Sequence, residues 1–515
     1  MAARRGRTES LGGRGGRSGR TRPSSIPWRL AGRLLPASAG VVLTIACAGN
    51  PRPESGEPRT LALGECMLPE LSEGARCGEL EVFEDRAAGA GRRIPLRVGV
   101  LPALGPAPQP DPIFVLVGGP GQSAVDNAAG YARLLAPLRD ERALVFIDQR
   151  GTGGSNPIPC DLYSGQPSGT LGDFFPLDAV RRCRDLLVRD ADLRLYSSAL
   201  AAADLDDVRA ALGYERINIE AASYGTRVAL LYLRAHSDRV RAAVLRSVSP
   251  PWVKQPLHFA EDAQAAFDSL AAACGADPAC RGAFPDFQGE FASVLARLDD
   301  GGVDIERPAI DGAPPRAFRL TRGAFAEKVR LMLYAPELSS FLPLLVHLAA
   351  SGDFGPFTEL AEEIGQQIAR VGSNGMYLSV TCAEDVARIT PEEAANPWAG
   401  TFLGDWRVRQ QREACALWPL ADLPGDFADP VRSDAPVLLI SSTIDPITPP
   451  RWADQVAEGL TNARHVRVAN AAHSPSSACV MAIVSEFLLA ASHEGLDLHC
   501  LAEIRRPPFQ VELPD

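Results

Sequence analysis

A chain of 515 residues, 46% hydrophobic and 22% charged, has the composition of an ordinary globular protein, long enough for one large domain with an insertion or for two domains. Nine arginines against one glutamate precede Cys47, a balance of +8 within a total of −11, which leaves −19 on the remainder. So acidic a body argues against nucleic acid as a partner, because a phosphate backbone needs a basic footprint.

The arginine-rich start leads into a short apolar run from Leu34 to Cys47 that ends in small residues, which predicts a secretory signal peptide over residues 1–47. The run is too short and too interrupted for a stable membrane span, which needs roughly 20 apolar residues. Ile45-Ala46-Cys47-Ala48 fits the small-residue pattern around the lipidated cysteine of bacterial lipoproteins, with Thr44 where an aliphatic residue is usual. Plain cleavage after Ala48 is the alternative, so the expected location is periplasmic or at the cell surface on a lipid anchor, or else secreted. Residues 48–65 are expected to form a flexible tether. Ten further cysteines, Cys66, Cys77, Cys160, Cys183, Cys274, Cys280, Cys382, Cys415, Cys479 and Cys500, fall into five pairs close in sequence, without CxxC or Cys/His metal spacing. They predict disulfides in an oxidising compartment, connectivity left open, and no motif suggests a metal or an organic cofactor.

Along the chain, Gly78–Val82 and Ile94–Val100 alternate as strands of an antiparallel ribbon. Near-continuous apolar runs follow at Ile113–Val117, Ala143–Ile147, Ala242–Leu245, Val437–Ile440 and His465–Val468, the pattern of strands covered on both faces. Arg216–Ile219 alternates as a half-buried strand. Helical periodicity fills Ala201–Leu212 and Thr226–Arg234, so the alternation is that of a doubly wound, mostly parallel α/β fold. Residues 251–426 are mostly helical in pattern (Phe259–Cys274, Phe287–Leu298, Ala324–Leu333, Phe341–Leu348, Phe357–Arg370) and interrupt the strands. The expected organisation is a core over 66–250 and 427–515, with 251–426 as a helical lid that shapes a pocket and excludes water.

Chemistry concentrates where strands end. Glu220-Ala221-Ala222-Ser223-Tyr224-Gly225-Thr226 sets a serine between small residues where a strand turns into a helix, the form of a nucleophile elbow. A serine hydroxyl needs a base and an oriented carboxylate to become nucleophilic. Asp445 follows the strand that ends near Ser441, and His473 follows the next one; Asp426, Asp434 and Asp454 compete for the carboxylate role. The order Ser223, Asp445, His473 is that of α/β hydrolases. Gly118-Gly119-Pro120-Gly121-Gln122 follows another strand and offers the Gly119 N–H as half of an oxyanion hole, the Tyr224 N–H being the other half. A phosphate loop is disfavoured there, because no Lys-Ser/Thr follows. Asp148 and Arg150, in Asp148-Gln149-Arg150-Gly151, are expected to pair as a buried brace beside that turn.

Together, Gly118-Gly119-Pro120-Gly121, Asp148-Gln149-Arg150-Gly151-x-Gly153-x-Ser155 and Ser223-Tyr224-Gly225-Thr226-Arg227 resemble the proline iminopeptidase and tripeptidyl aminopeptidase family of α/β hydrolases. The resemblance runs from about Cys66 onward, through Arg76-Cys77-Gly78, Cys382-Ala383-Glu384-Asp385, Cys415 to Trp418 and the region after Asp445. It implies a Ser223, Asp445, His473 triad, oxyanion donors at Gly119 and Tyr224, and acidic lid residues for a substrate amine. Glu384 and Asp385 stand at the best matching positions, with Glu362 and Glu363 behind them. Val117 departs from a common histidine, and Ala221 and Ala472 from common glycines; none removes a reacting group. The expected activity is an exported serine aminopeptidase acting through an acyl-enzyme on peptides, with esterase or other acyl hydrolase activity on small esters as the alternative.

Overall fold

The computed structural model describes residues 60–307, 315–395 and 398–513. The predicted signal peptide, Cys47 and residues 48–59 lie outside the described residues. The rest of the predicted tether is not free chain: the Leu61 N–H donates to the Ala211 carbonyl at 3.0 Å and Gly64 opens the first strand.

In chain order, β1 (Gly64–Met67), β2 (Gly74–Phe83) and β3 (Arg93–Leu101) form the antiparallel ribbon that alternation predicts. β4 (Ile113–Leu116), α1 (Ala128–Leu134), β5 (Leu144–Ile147), α2 (Leu177–Leu187), α3 (Ser198–Ala211), β6 (Ile217–Ala222), α4 (Tyr224–His236) and β7 (Val240–Arg246) build the first part of the core. The interruption carries α5 (Gln255–Ala276), α6 (Pro278–Ala283), α7 (Phe287–Asp299), a hairpin of β8 (Val303–Arg307) and β9 (Arg316–Leu320), then α8 (Arg322–Met332), α9 (Pro336–Ser339), α10 (Leu342–Ser351), α11 (Gly355–Val371), α12 (Asn374–Glu384) and α13 (Trp406–Cys415). β10 (Val437–Ser442), α14 (Pro450–Ala457), β11 (Ala463–Val468) and α15 (Ala478–Ala490) complete the chain.

Nine strands form one sheet in the order β1-β2-β3-β5-β4-β6-β7-β10-β11, parallel from β5 to β11. The fold class read from the sequence is therefore right. Two strands differ from their pattern. β6 is buried at all six positions rather than half-buried, because its polar residues meet buried partners: Asn218 Nδ2 donates to the Asp111 carboxylate at 2.8 Å, and Glu220 pairs with Arg246 at 2.6 Å. β11 is less covered than expected, because it is the edge strand.

The interval 251–426 does not pack as one body. Phe259, Phe267, Phe291, Phe325 and Phe357 centre a separate hydrophobic cluster, whereas Met376, Leu378 and Val380 of α12 join the cluster beneath the sheet. Helix α12 thus belongs physically to the core, although it lies within the insertion. Disulfides join Cys66–Cys77, Cys160–Cys183, Cys274–Cys280, Cys382–Cys415 and Cys479–Cys500, each pairing neighbours in sequence.

Candidate active site

Parallel strands of a doubly wound sheet deliver their loops to one edge, and the candidate residues sit on those loops. Ser223 follows β6 directly, with φ +54 and ψ −125, a conformation that a non-glycine residue adopts only under constraint. The constraint is visible: its N–H donates to the Arg246 carbonyl at 2.9 Å, and its carbonyl accepts from both the N–H and the hydroxyl of Thr226. So held, the Ser223 Oγ lies 2.9 Å from His473 Nε2. His473 Nδ1 in turn lies 2.9 Å from Asp445 Oδ2 and 3.1 Å from Oδ1.

Asp445 is 2% exposed, yet it is saturated with donors. Oδ1 accepts the N–H groups of Ile447 and Thr448, and Oδ2 accepts the hydroxyls of Ser247 and Thr448, all within 2.9 Å. Burial alone raises its pKa; the His473 charge and the hydrogen bonds from His473 and Thr448 more than reverse this and hold it down at about 2. Asp445 is therefore ionised at any physiological pH and keeps the histidine proton on Nδ1, leaving Nε2 to receive the serine proton. Ser247 went unseen in the sequence, since only the adjacency of β7 and β10 brings it to Asp445. Thr448 had a signal in Asp445-Pro446-Ile447-Thr448, where the backbone turns back on the aspartate side chain.

The glycine turn after β4 packs against the serine. A Cβ at Gly118 would lie 3.2 Å from Ser223 Cβ, and Gly119 has φ +112, where its own Cβ would stand 2.7 Å from the Gly121 N. Tyr224 is the first residue of α4, where backbone N–H groups have no intrahelical acceptor. Asp148 is fully buried and braces this turn: it accepts the Ser123 hydroxyl at 2.6 Å, the Val125 N–H at 3.1 Å and the Gly154 N–H at 2.9 Å. The expected Asp148–Arg150 pair does not form. Arg150 turns the other way, to both carboxylate oxygens of Asp204 at 2.6 and 2.8 Å.

The insertion touches the site at two points. The Ser373 N–H, ahead of α12, donates to the Gly121 carbonyl at 3.0 Å, and the Tyr334 carbonyl accepts the His473 N–H at 3.0 Å with the tyrosine ring edge-on to the imidazole. Between them a cavity of about 600 Å³ opens onto Ser223, Tyr224, Gly118, Gly119 and His473. Of the acidic candidates, Asp385 lines it and Glu384 does not. Glu384 is 0% exposed; its carboxylate takes the Ser198 N–H and hydroxyl at 2.6 Å each and Arg227 at 3.2 Å. Asp385 Oδ1 accepts from Arg227 at 3.0 Å, and Oδ2 has no hydrogen-bond partner among the described residues. Glu362 is occupied by Arg307 and Arg316, and Glu363 is exposed.

Residues 111–283 match the family described as alpha/beta hydrolase fold, and residues 401–500 match the family described as TAP-like protein. The chain is thus similar to α/β hydrolases over its first core part and to TAP-like proteins toward its C-terminal part. Among curated relatives of this hydrolase, "Serine protease Hip1" of Mycobacterium tuberculosis is 29% identical over 431 residues, covering 75% of this chain and 79% of that one. "Carboxylesterase B" of the same organism is 27% identical over 411 residues, covering 73% and 76%. "Tripeptidyl aminopeptidase" of Streptomyces lividans is 24% identical over 473 residues, covering 84% of each.

Chemically, a carbonyl carbon placed against the Ser223 Oγ would be attacked as the proton passes to His473 Nε2. Two backbone N–H groups would meet the developing oxyanion, each worth ~10²–10³ in rate. His473 would return that proton to the departing amine or alkoxide, and water would release the acyl group by the reverse sequence.

Proposed function

We propose that this hydrolase is a serine peptidase of aminopeptidase type, in which Ser223 is the nucleophile, His473 the general base and Asp445 its orienter, with Gly119 and Tyr224 supplying the oxyanion N–H groups. The observation that carries the reading is the hydrogen-bonded series Ser223, His473, Asp445 opening into a covered cavity. The relatives named as a serine protease and a tripeptidyl aminopeptidase support a peptide substrate. Asp385 is the acceptor we assign to the substrate α-ammonium, through Oδ2; Glu384 supports it indirectly by sharing Arg227. The five disulfides support function in an oxidising, extracytoplasmic compartment. Anchoring through Cys47 is part of the proposal and is tested by radiolabelled fatty acid incorporation, which Cys47→Ser should abolish.

Ester hydrolysis is a second reading, favoured by a relative named as a carboxylesterase and by a cavity wall in which Asp385 is already shared with an arginine. The protein lacking residues 1–47, assayed on aminoacyl anilides, N-blocked anilides and short-chain nitrophenyl esters, separates the two. Turnover of blocked substrates or esters alone would reject the aminopeptidase assignment.

A further inference from the structure

Helix α8 lines the cavity with Lys328, Arg330 and Leu331, and its charges do not balance. Glu327, Lys328 and Arg330 are all nearly sealed from solvent, and Arg407 of α13 joins them. Glu327 is shared: Arg330 Nε donates to it at 2.9 Å and Arg407 Nη1 at 3.0 Å. Arg407 also donates to the Tyr377 hydroxyl at 2.7 Å and stacks 3.6 Å over Phe174, while Arg330 donates to the Tyr334 hydroxyl at 3.1 Å. Both arginines are therefore engaged. Lys328, 4% exposed, is not: its Nζ has no hydrogen bond or ion pair among the described residues, yet it lines the cavity that holds Ser223.

A second polar group is stranded at the same place. Thr170 Oγ1 is buried without a hydrogen-bond partner and lines the same cavity. A Cβ at Gly365 would lie 2.1 Å from that oxygen and 3.0 Å from Lys328 Nζ, so both groups converge on one point against the bare backbone of α11. Two donors thus lie against Gly365, on residues that both line the cavity. A buried cation and a buried hydroxyl are each costly when unpaired, so the arrangement is completed only by an acceptor that arrives from outside.

We propose that Lys328 and Thr170 form an anion subsite that binds a carboxylate of the substrate. Resting on the peptidase reading, the cavity is then polarised: Asp385 receives an ammonium and Lys328 a carboxylate, which selects a short zwitterionic peptide whose negative group is an acidic side chain or a free C-terminus. Burial pushes the Lys328 amine down to about 8; Glu327 opposes this, and Arg330 and Arg407 add to it. The charged groups acting on it are Glu327 and Arg330 on its own helix and Arg407 on α13, and the titratable residues Tyr163, Tyr334, Tyr377 and Asp385 line the same cavity. Below pH 8 the subsite is cationic, and above it the charge is lost.

The test compares kcat/KM on matched pairs: peptide anilides with Glu or Gln at the N-terminal positions, peptides with free or amidated C-termini, and nitrophenyl hemiesters of glutarate against valerate esters. Wild-type protein should prefer the acidic member of at least one pair by about 10- to 100-fold. Lys328→Met should collapse that ratio at least tenfold, and Thr170→Val should reduce it. In wild type the ratio should fall as pH rises through 8, a readout that needs no variant to fold. A Glu-over-Gln preference names the side chain as the source, and a free-over-amide preference names the C-terminus. No acidic preference in any pair, or a preference that Lys328→Met leaves intact, overturns the subsite. The ester pair stands apart from peptide cleavage: a Lys328-dependent glutarate preference without anilide turnover would retain the subsite and reject the aminopeptidase.

Discussion

Gly225→Ala is the smallest change that should disarm the elbow. In an open helix, replacing glycine by alanine stabilises by about 1 kcal/mol. Here the added Cβ would lie 2.2 Å from the Leu116 carbonyl oxygen and 2.8 Å from that of Val117, main-chain atoms of the strand and turn that lead into Gly118 and Gly119. Main chain cannot rotate away as a side chain can, and overpacking of this kind typically costs 1–3 kcal/mol, with more when backbone must move. The clash outweighs the propensity gain, so a net loss of about 1–2 kcal/mol is expected, seen as a drop of a few degrees in Tm. Relief requires the start of α4 to lift from β4, taking Ser223 Oγ and the Tyr224 N–H with it. A shift near 1 Å at reacting groups costs ~10² in rate. Calorimetry and kcat on a nitrophenyl ester measure the two effects. Gly275→Ala is the control, because its Cβ would meet nothing within 4 Å. A Gly225→Ala protein with wild-type kcat and an unchanged or raised Tm would refute the reasoning.

Other outcomes follow from the same geometry. Ser223→Ala should abolish turnover while leaving the fold intact, and Ser223→Gly should be more stable than Ser223→Ala by about 1 kcal/mol in denaturant titration, because φ is +54 there. Asp445→Asn should lower kcat by ~10⁴ with little change in KM, since the amide no longer enforces the Nδ1–H tautomer. Because the folded pKa of Asp445 lies below its ordinary value of 3.8, its stabilising contribution is complete above that value. It is lost only as pH falls toward about 2, so acid titration of wild type against Asp445→Asn should converge in that window. Glu384→Ala should destabilise by about 3–5 kcal/mol by leaving the buried Ser198 N–H and hydroxyl without their acceptor and Arg227 with one carboxylate instead of two, whereas Asp385→Asn should raise KM for free-amine substrates and leave ester KM unmoved.

Much of the site was legible because its residues lie just past buried strands, and buried strands announce themselves as apolar runs. Ser223, Asp445 and His473 could be placed on loops at one edge of the sheet from that pattern alone. Helix α12 could not be found, and the reason is its burial: from Gly375 to Glu384 nearly every position is covered, so no polar face marks a helical period. That in turn hid the position of Glu384, whose partners Ser198 and Arg227 come from α3 and α4. Asp148 and Arg150 were paired on proximity in sequence, but the chain sends one toward the Ser123 turn and the other toward Asp204. Lys328 falls within the predicted helix Ala324–Leu333, where nothing in the sequence sets it apart. Only the cavity behind α8 distinguishes it.

The bond from Ser373 to Gly121 ties the covering helices to the turn beside the nucleophile, while Tyr334 holds the backbone of His473. A displacement of α12 wide enough to admit a bulky chain would break the first contact and release the turn that is to stabilise the oxyanion. Access and competence are therefore opposed: whatever is too large to fit beneath the cover meets a serine without its full complement of donors. Size exclusion in such a molecule would act twice, once by volume and once by loosening the turn beside the nucleophile.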